Sequence, residues 1–214
     1  INSLSKLRPT STALVVGHES DWVTAEVLTN APSWTNLTFV EQATPRGTGD
    51  AAAFGLTGLP GDDFADDSTV VVLPGDTPLL EPDTLDELVA THVANENAAT
   101  LLTSKVDDPT GYGRVIRTGD GRVQRIVEQR DATPDELDVR EIATSIYAFR
   151  RELLGPALRQ LSPENSQGEY YLTDVIGMLS AMGHRVSCVT APLGETQGVN
   201  DRWQLALAER ELRR

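Results

Sequence analysis

Residues 68–80 read STVVVLPGDTPLL, and the fold is decided there. Val70, Val71, Val72 and Leu73 form one β-branched and aliphatic run between turn residues, the pattern of a strand buried on both faces in the middle of a parallel sheet. Pro74, Gly75 and Asp76 follow at its carboxyl end, where open α/β sheets hold their ligands. A carboxylate placed there, after a glycine that lets a ligand approach the backbone, suits a divalent cation. The same two residues also suit a turn or a helix cap, so Asp76 carries both readings at this point.

Outward from this strand the chain alternates strands and helices. Upstream, Ile1, Leu4 and Leu7 have helical spacing up to Pro9, and TALVVG at 12–17 is a short buried strand. A helical pattern follows over 19–28 with Val23 and Val27 on one face, then a strand-like LTFVE at 37–41 and a helix at 51–59. Downstream come a helix over 82–95, acidic near its positive N-terminal end, and a strand at 99–106. This βαβ alternation implies a doubly wound sheet. The second half changes character. Strands at 114–117 and 122–127 flank the turn signal TGDG, so a β-hairpin is expected. After a polar stretch at 129–140 come a strand at 142–149, helices at 152–161 and 171–182, a strand at 186–190, and a terminal helix from about 200 carrying Trp203, Leu205, Ala208 and Leu212.

With 214 residues, one α/β core is easily buried. A net charge of −14 and a pI near 4.5 argue against nucleic acid or an anionic membrane as partner. An acidic protein that handles phosphates must bring a metal ion or a local basic cluster, which points to Mg²⁺. The lone Cys188 fits a reducing compartment, and the sequence shows no apolar run of transmembrane length and no charged-then-apolar leader, so a cytoplasmic location is expected. His18, His92 and His184 are too scattered for a zinc cluster and read as surface or helix-end residues.

Four further loops each carry a plain and a functional reading. Gln42 ends a strand, and Gly47-Thr48-Gly49 opens a helix whose free N–H groups would face the same edge as Asp76; a Gln beside exposed amides can read a base. DDPTGYGR at 107–114 is either an Asp-Pro turn or a glycine-lined strand exit. Glu128 ends a hairpin strand as a solvated charge or an acceptor. Asn200, before the last helix, is an N-cap or a ligand.

As an ordered set, Gln42, GTG at 47–49, GD at 75–76, DDPTGYGR at 107–114, IVEQ at 126–129, QGEYYLTD at 167–174 and GVN at 198–200 resemble the sugar-nucleotide pyrophosphorylases. The likeness is to the uridyltransferase domain of the bacterial bifunctional N-acetylglucosamine-1-phosphate uridyltransferase/glucosamine-1-phosphate acetyltransferases, and it runs the length of the chain. It implies an α/β, Rossmann-like nucleotidyltransferase fold, with a mostly parallel central sheet flanked by helices and a β-hairpin extension covering the sugar site. Residues 1–214 would then form one domain, 1–106 its nucleotide-binding part and 107–214 its sugar-binding part with the closing helices. The implied reaction joins UTP to N-acetylglucosamine 1-phosphate, a cell-wall precursor step, and releases pyrophosphate with Mg²⁺ as cofactor. By the resemblance, Gln42, Gly47 and Thr48 read uracil, Gly75 touches the nucleoside, Asp76 and Asn200 hold the metal, and Gly113 and Glu128 hold sugar and ribose hydroxyls.

Three departures qualify this reading. The family's glycine-rich loop, with its arginine and a following lysine, would precede Ile1, so these 214 residues by themselves are expected to turn over no UTP. Ala143, in EIATSIYAF, stands where the family pattern has Asn, which leaves the sugar open. No hexapeptide-repeat segment appears before Arg214, so acetyl transfer is not expected of this stretch. Two other classes stay in view. A glycosyltransferase of similar fold would favour a D-x-D motif where Pro74-Gly75-Asp76 supplies one acid, and a nucleotide-sugar-binding domain would not turn over at all.

Overall fold

The computed structural model describes residues 1–17, 20–61 and 68–213. His18 and the start of the helical pattern at residue 19 lie outside the described residues. The elements run β1 (Thr12–Val16), α1 (Ser20–Asn30), β2 (Leu37–Glu41), α2 (Thr48–Thr57), β3 (Thr69–Val72), α3 (Pro82–Ala94), β4 (Ala99–Lys105), β5 (Arg114–Arg117), β6 (Val123–Val127), α4 (Pro134–Leu137), β7 (Glu141–Arg150), α5 (Arg151–Leu158), α6 (Thr173–Ala181), β8 (Val186–Thr190), α7 (Leu193–Thr196) and α8 (Arg202–Leu212). A short 3-10 turn at Asn2–Leu4 stands where helical spacing was read, and Leu4 is buried there.

β1 and β2 pair in parallel, and the larger sheet has the order β6-β5-β7-β4-β8, with β3 paired along the C-terminal half of β7, whose start pairs with β5. β3, β4 and β5 each pair with β7 antiparallel, and β8 pairs with β4 in parallel. Hence β3, β4, β5 and β8 share one direction while β7, threaded between β3 and β4, makes the ladders beside it antiparallel. This corrects the reading of residues 70–73. β3 is not the middle of a parallel sheet, and Val70 is its one fully buried residue. A strand covered on both faces reads as an apolar run whichever way its neighbours point, so direction was invisible locally. β7, from the second half of the chain, is the central strand.

Helices cover both faces of the sheet. On one, α2, α5 and α6 pack over Val70, Leu101, Tyr147 and Phe149, adding Leu154, Leu158, Val175, Ile176 and Leu179. On the other, α3 packs Leu85 and Leu88 against Leu102, Ile146, Ala148 and Val189. The alternation along β7, with Tyr147 and Phe149 on one side and Ile146 and Ala148 on the other, is the period-two geometry of a strand. Each fully buried Leu, Ile or Phe in these layers stabilises the fold by about 1.5–3 kcal/mol.

The hairpin β5–β6 forms as its turn signal implies, with Arg114 opposite Val127. The polar stretch after it contains α4, started by a capping box in which Thr133 and Glu136 satisfy each other's end of the helix. α2 begins three residues earlier than its apolar pattern, because Gly47 starts the helix. Among the described residues no helix is long and apolar enough to cross a membrane.

Candidate active site

The turn between β3 and α3 leaves Gly75 and Asp76 exposed, with open space where a Gly75 side chain would stand. The loop before α8 returns to that turn: the Val199 N–H donates to the Asp76 carbonyl at 2.8 Å. A Cβ on Gly198 would sit 3.0 Å from Asp76 Oδ2, so glycine there makes room for the carboxylate. Asp76 and the segment carrying Asn200 therefore meet at one edge, although they are far apart in the chain. The N-cap reading of Asn200 is corrected, since Asp201 caps α8 and accepts from the Gln204 N–H at 2.7 Å. Asn200 lies one residue outside the cap, and its backbone N–H donates to Gln204 Oε1 at 2.6 Å.

One carboxylate and one amide oxygen are hard donors of the kind Mg²⁺ accepts. Among the described residues no group of three or more His, Cys, Asp or Glu side chains gathers as a metal cage. The donor set fits a cation that fills its shell with substrate phosphates and water, which is the habit of Mg²⁺.

The turn carrying Gln42 and Gly47-Thr48-Gly49 is held from two sides. Gln42 Nε2 donates to Asp50 Oδ2 at 2.6 Å, and Arg46 pairs with the other oxygen of Asp50 at 2.7 Å. Sequence reasoning missed Asp50, because an acid in the first turn of a helix reads as a helix-start residue. This arrangement leaves Gln42 Oε1 as an acceptor facing outward from the bond. An acceptor there suits the imide N–H shared by uracil and thymine, and not the bare ring nitrogen of cytosine. The expectation of freely projecting amides is corrected in part, because the Gly49 N–H donates to the Tyr170 carbonyl at 2.8 Å. Gly47 must be glycine: its φ is 110°, and a Cβ would stand 2.6 Å from the Tyr170 oxygen. The Thr48 hydroxyl accepts from the Leu172 N–H at 3.0 Å and keeps its own proton to donate.

Gly113 and Glu128 come together on the other side. A Cβ on Gly113 would lie 3.5 Å from both Glu128 carboxylate oxygens, and the Gly113 carbonyl accepts from the Ala143 N–H at 2.9 Å. Arg114, almost fully buried, donates to the Tyr112 carbonyl and, at 3.3 Å, to Gln129 Oε1, which also accepts from the Gly111 N–H. The DDPTGYGR loop is thereby pinned to the end of β6. Glu128 is half-buried and takes a hydrogen bond from the Thr173 hydroxyl at 3.0 Å. Burial pushes its carboxyl above the usual range; Asp174, Asp131 and Glu169 push the same way, and Thr173 pulls against them. A carboxylate so placed is a strong acceptor for a ligand hydroxyl, which would supply the donors that desolvation removed.

Two clusters of expected residues thus form, Asp76 with the Asn200 loop and Gly113 with Glu128, and the Gln42–Thr48 turn is joined to the second by the segment around Tyr170. Ala143 is 7% exposed on β7, beside Gly113. Ser145 is the exposed residue in β7 and adopts φ 61°. Strained non-glycine backbone gathers at functional sites, and nothing in the sequence announced it.

Residues 1–193 match the nucleotidyl transferase family. The chain is 46% identical over 209 residues to the bifunctional protein GlmU of Streptomyces avermitilis, covering 97% of this chain and 42% of that protein. It is 44% identical over 215 residues to the bifunctional protein GlmU of Shouchella clausii, covering 100% of this chain and 45% of that one. The chain thus spans less than half the length of these curated relatives. Among solved structures, a UDP-glucose pyrophosphorylase complexed with UDP-glucose superposes with a TM-score of 0.70 at 11% identity, over 99% of this chain and 85% of that one. A 4-diphosphocytidyl-2C-methyl-D-erythritol synthase from Anaerococcus prevotii superposes with a TM-score of 0.67 at 17% identity, over 100% of this chain and 86% of that one. At such identities the likeness speaks for the fold alone.

Proposed function

This chain belongs to the nucleotidyl transferase family, and from that premise we propose that it is the uridyltransferase part of an enzyme that joins UTP to N-acetylglucosamine 1-phosphate. The products are UDP-N-acetylglucosamine, a precursor of the cell wall, and pyrophosphate. The observation that carries the reading is the meeting of Asp76 with the Gly198–Asn200 segment at the open end of β3.

In this reading the reaction is an in-line attack of the sugar-phosphate oxygen on the α-phosphorus, which positioning and charge neutralisation carry without a covalent intermediate. Gln42, fixed by Asp50, offers Oε1 to the base imide, and Thr48 offers its hydroxyl proton beside it. Gly75 gives the nucleoside an unobstructed backbone to lie against. Glu128 and the Gly113 amide orient the sugar so that its phosphate meets the nucleotide. Asp76 and Asn200 would hold Mg²⁺, which when bound neutralises phosphate charge in an otherwise acidic protein.

A second reading, a pyrophosphorylase for another sugar 1-phosphate, is favoured by Ala143, whose methyl replaces the hydrogen-bonding amide of the family pattern. Pyrophosphate release by the full-length protein with UTP, dTTP or CTP across a panel of sugar 1-phosphates separates the two. UTP with N-acetylglucosamine 1-phosphate is the expected best pair, CTP is expected to be inert, and Asp76→Ala is expected to abolish turnover while the circular dichroism spectrum is kept. Ala143→Asn is expected to tighten N-acetylglucosamine 1-phosphate by one hydrogen bond's worth, about 0.5–1.5 kcal/mol. A preference for a different sugar selects the second reading, and full activity of Asp76→Ala contradicts both.

A further inference from the structure

We infer that Thr48 and Thr173 are positioning residues on either side of one peptide unit, Leu172–Thr173, in a strap of residues 165–173, through which the base turn and the sugar carboxylate are set together. This deepens the proposed function and rests on it for the identity of the two half-sites. On the base side the strap and the turn exchange backbone hydrogen bonds in both directions: the Tyr170 N–H donates to the Arg46 carbonyl at 2.8 Å, and the Gly49 N–H donates to the Tyr170 carbonyl at 2.8 Å. The Leu172 N–H adds the bond to Thr48 Oγ1 at 3.0 Å, and the Arg46 guanidinium lies 5.8 Å from the Tyr170 ring centre. A side chain at Gly47 would collide with this seam, so the contact is close along its whole length.

On the sugar side the next residue, Thr173, donates its hydroxyl to Glu128 Oε1 at 3.0 Å, and at the start of the strap the Ser166 N–H donates to Asp131 Oδ1 at 2.9 Å. Leu172 and Thr173 are neighbours, so a single peptide unit lies between the hydroxyl of the base turn and the carboxylate of the sugar pocket. Thr48 uses one of its acceptor lone pairs on the strap and keeps its hydroxyl proton to donate to a ligand. Thr173 occupies one oxygen of Glu128 and leaves the other for a sugar hydroxyl. A shift of the base turn is carried to Glu128 by bonds of fixed length, in a pocket that also holds Asp131, Asp174, Glu169 and the hydroxyl of Tyr147.

The test follows the Glu128 carboxyl by carbon-13 NMR titration in wild type, Thr48→Val, Arg46→Ala, Thr173→Val and Thr173→Ser, with UDP and UDP-N-acetylglucosamine affinity measured on each. Arg46→Ala removes only an exposed side chain from the seam and keeps the test available if Thr48→Val does not fold. The expected result is that Thr48→Val or Arg46→Ala raises the Glu128 titration, although neither residue bonds Glu128. Thr173→Val is expected to raise it further and to weaken UDP-N-acetylglucosamine about three- to tenfold, one hydrogen bond's worth, with rescue by Thr173→Ser. An unchanged Glu128 titration in both Thr48→Val and Arg46→Ala overturns the inference whatever the nucleotide does. A moved titration in a wild-type protein that binds no UDP leaves the strap standing and overturns the proposed function.

Discussion

Glu128 is where the needs of folding and of function collide. Its folded-state carboxyl titrates above the unfolded value because burial, and then neighbouring acids, disfavour the charge. The unfolded chain therefore releases this proton first, and stability falls as pH rises from the unfolded value through the folded one. Glu128→Gln removes the burden while keeping the shape. The expected outcome is a melting temperature higher than wild type near neutral pH, equal to it in acid, and a nucleotide-sugar affinity at least about tenfold weaker, since a charged acceptor is lost. Calorimetry across pH with a parallel binding titration checks both, and a variant that melts lower than wild type at neutral pH contradicts the account. Of the candidate residues, Asp76 and Glu128 stood out only within the ordered set of loops, since a carboxylate at a strand exit equally suits a turn, a helix cap or a solvated charge. Asp50 and Thr173 did not, since an acid and a threonine in the first turn of a helix read as helix-start residues and their partners are remote in sequence.

Among the elements, β7 and α3 make the sharpest demands. In β7 the register against β4 shifts between Leu101 and Thr103, and Ser145 lies opposite that irregularity in left-handed backbone. Such backbone costs a non-glycine residue about 1–3 kcal/mol, so Ser145→Gly is expected to raise the melting temperature by about 2–4 °C. A scan showing no rise would mean the serine is locally compensated. In α3, His92 is buried with Nδ1 3.1 Å from Thr100 Oγ1, and desolvation, then the charge of Arg150, pulls its pKa to about 4. The unfolded chain binds that proton near pH 6.5 and the folded state does not until about 4, so stability drains away as pH falls between them. Urea unfolding at pH 7 and pH 4.5 is expected to differ by about 2 kcal/mol more in wild type than in His92→Gln. The sequence placed His92 at a helix end but not inside the core. Apolar period marks the buried face of a helix, and the imidazole interrupts that pattern without changing the burial. β8 and the hairpin β5–β6 were legible to within a residue because their apolar runs are bounded by turn residues, whereas the place of β7 between β3 and β4 is a pairing choice that no local pattern encodes.

For the whole molecule, the account claims that loops scattered over the chain form one nucleotide-sugar site: 42–50, 75–76, 111–113, 128, 165–173 and 198–200. The charge of the chain sets the condition, since a net −14 must be locally overcome wherever phosphates bind. In the proposed function these loops make up the site, while α1 and the outer face of α8, which exposes Trp203 and Leu212, take no part. The most direct measurement is a map of backbone amide chemical shifts as UDP-N-acetylglucosamine and Mg²⁺ are titrated into the protein. The account predicts that shifts concentrate in those six segments, move together with one dissociation constant, and lose the 75–76 and 198–200 responses in Asp76→Ala. Shifts centred on α1 or α8, or separate constants for the base turn and the Glu128 pocket, would contradict it.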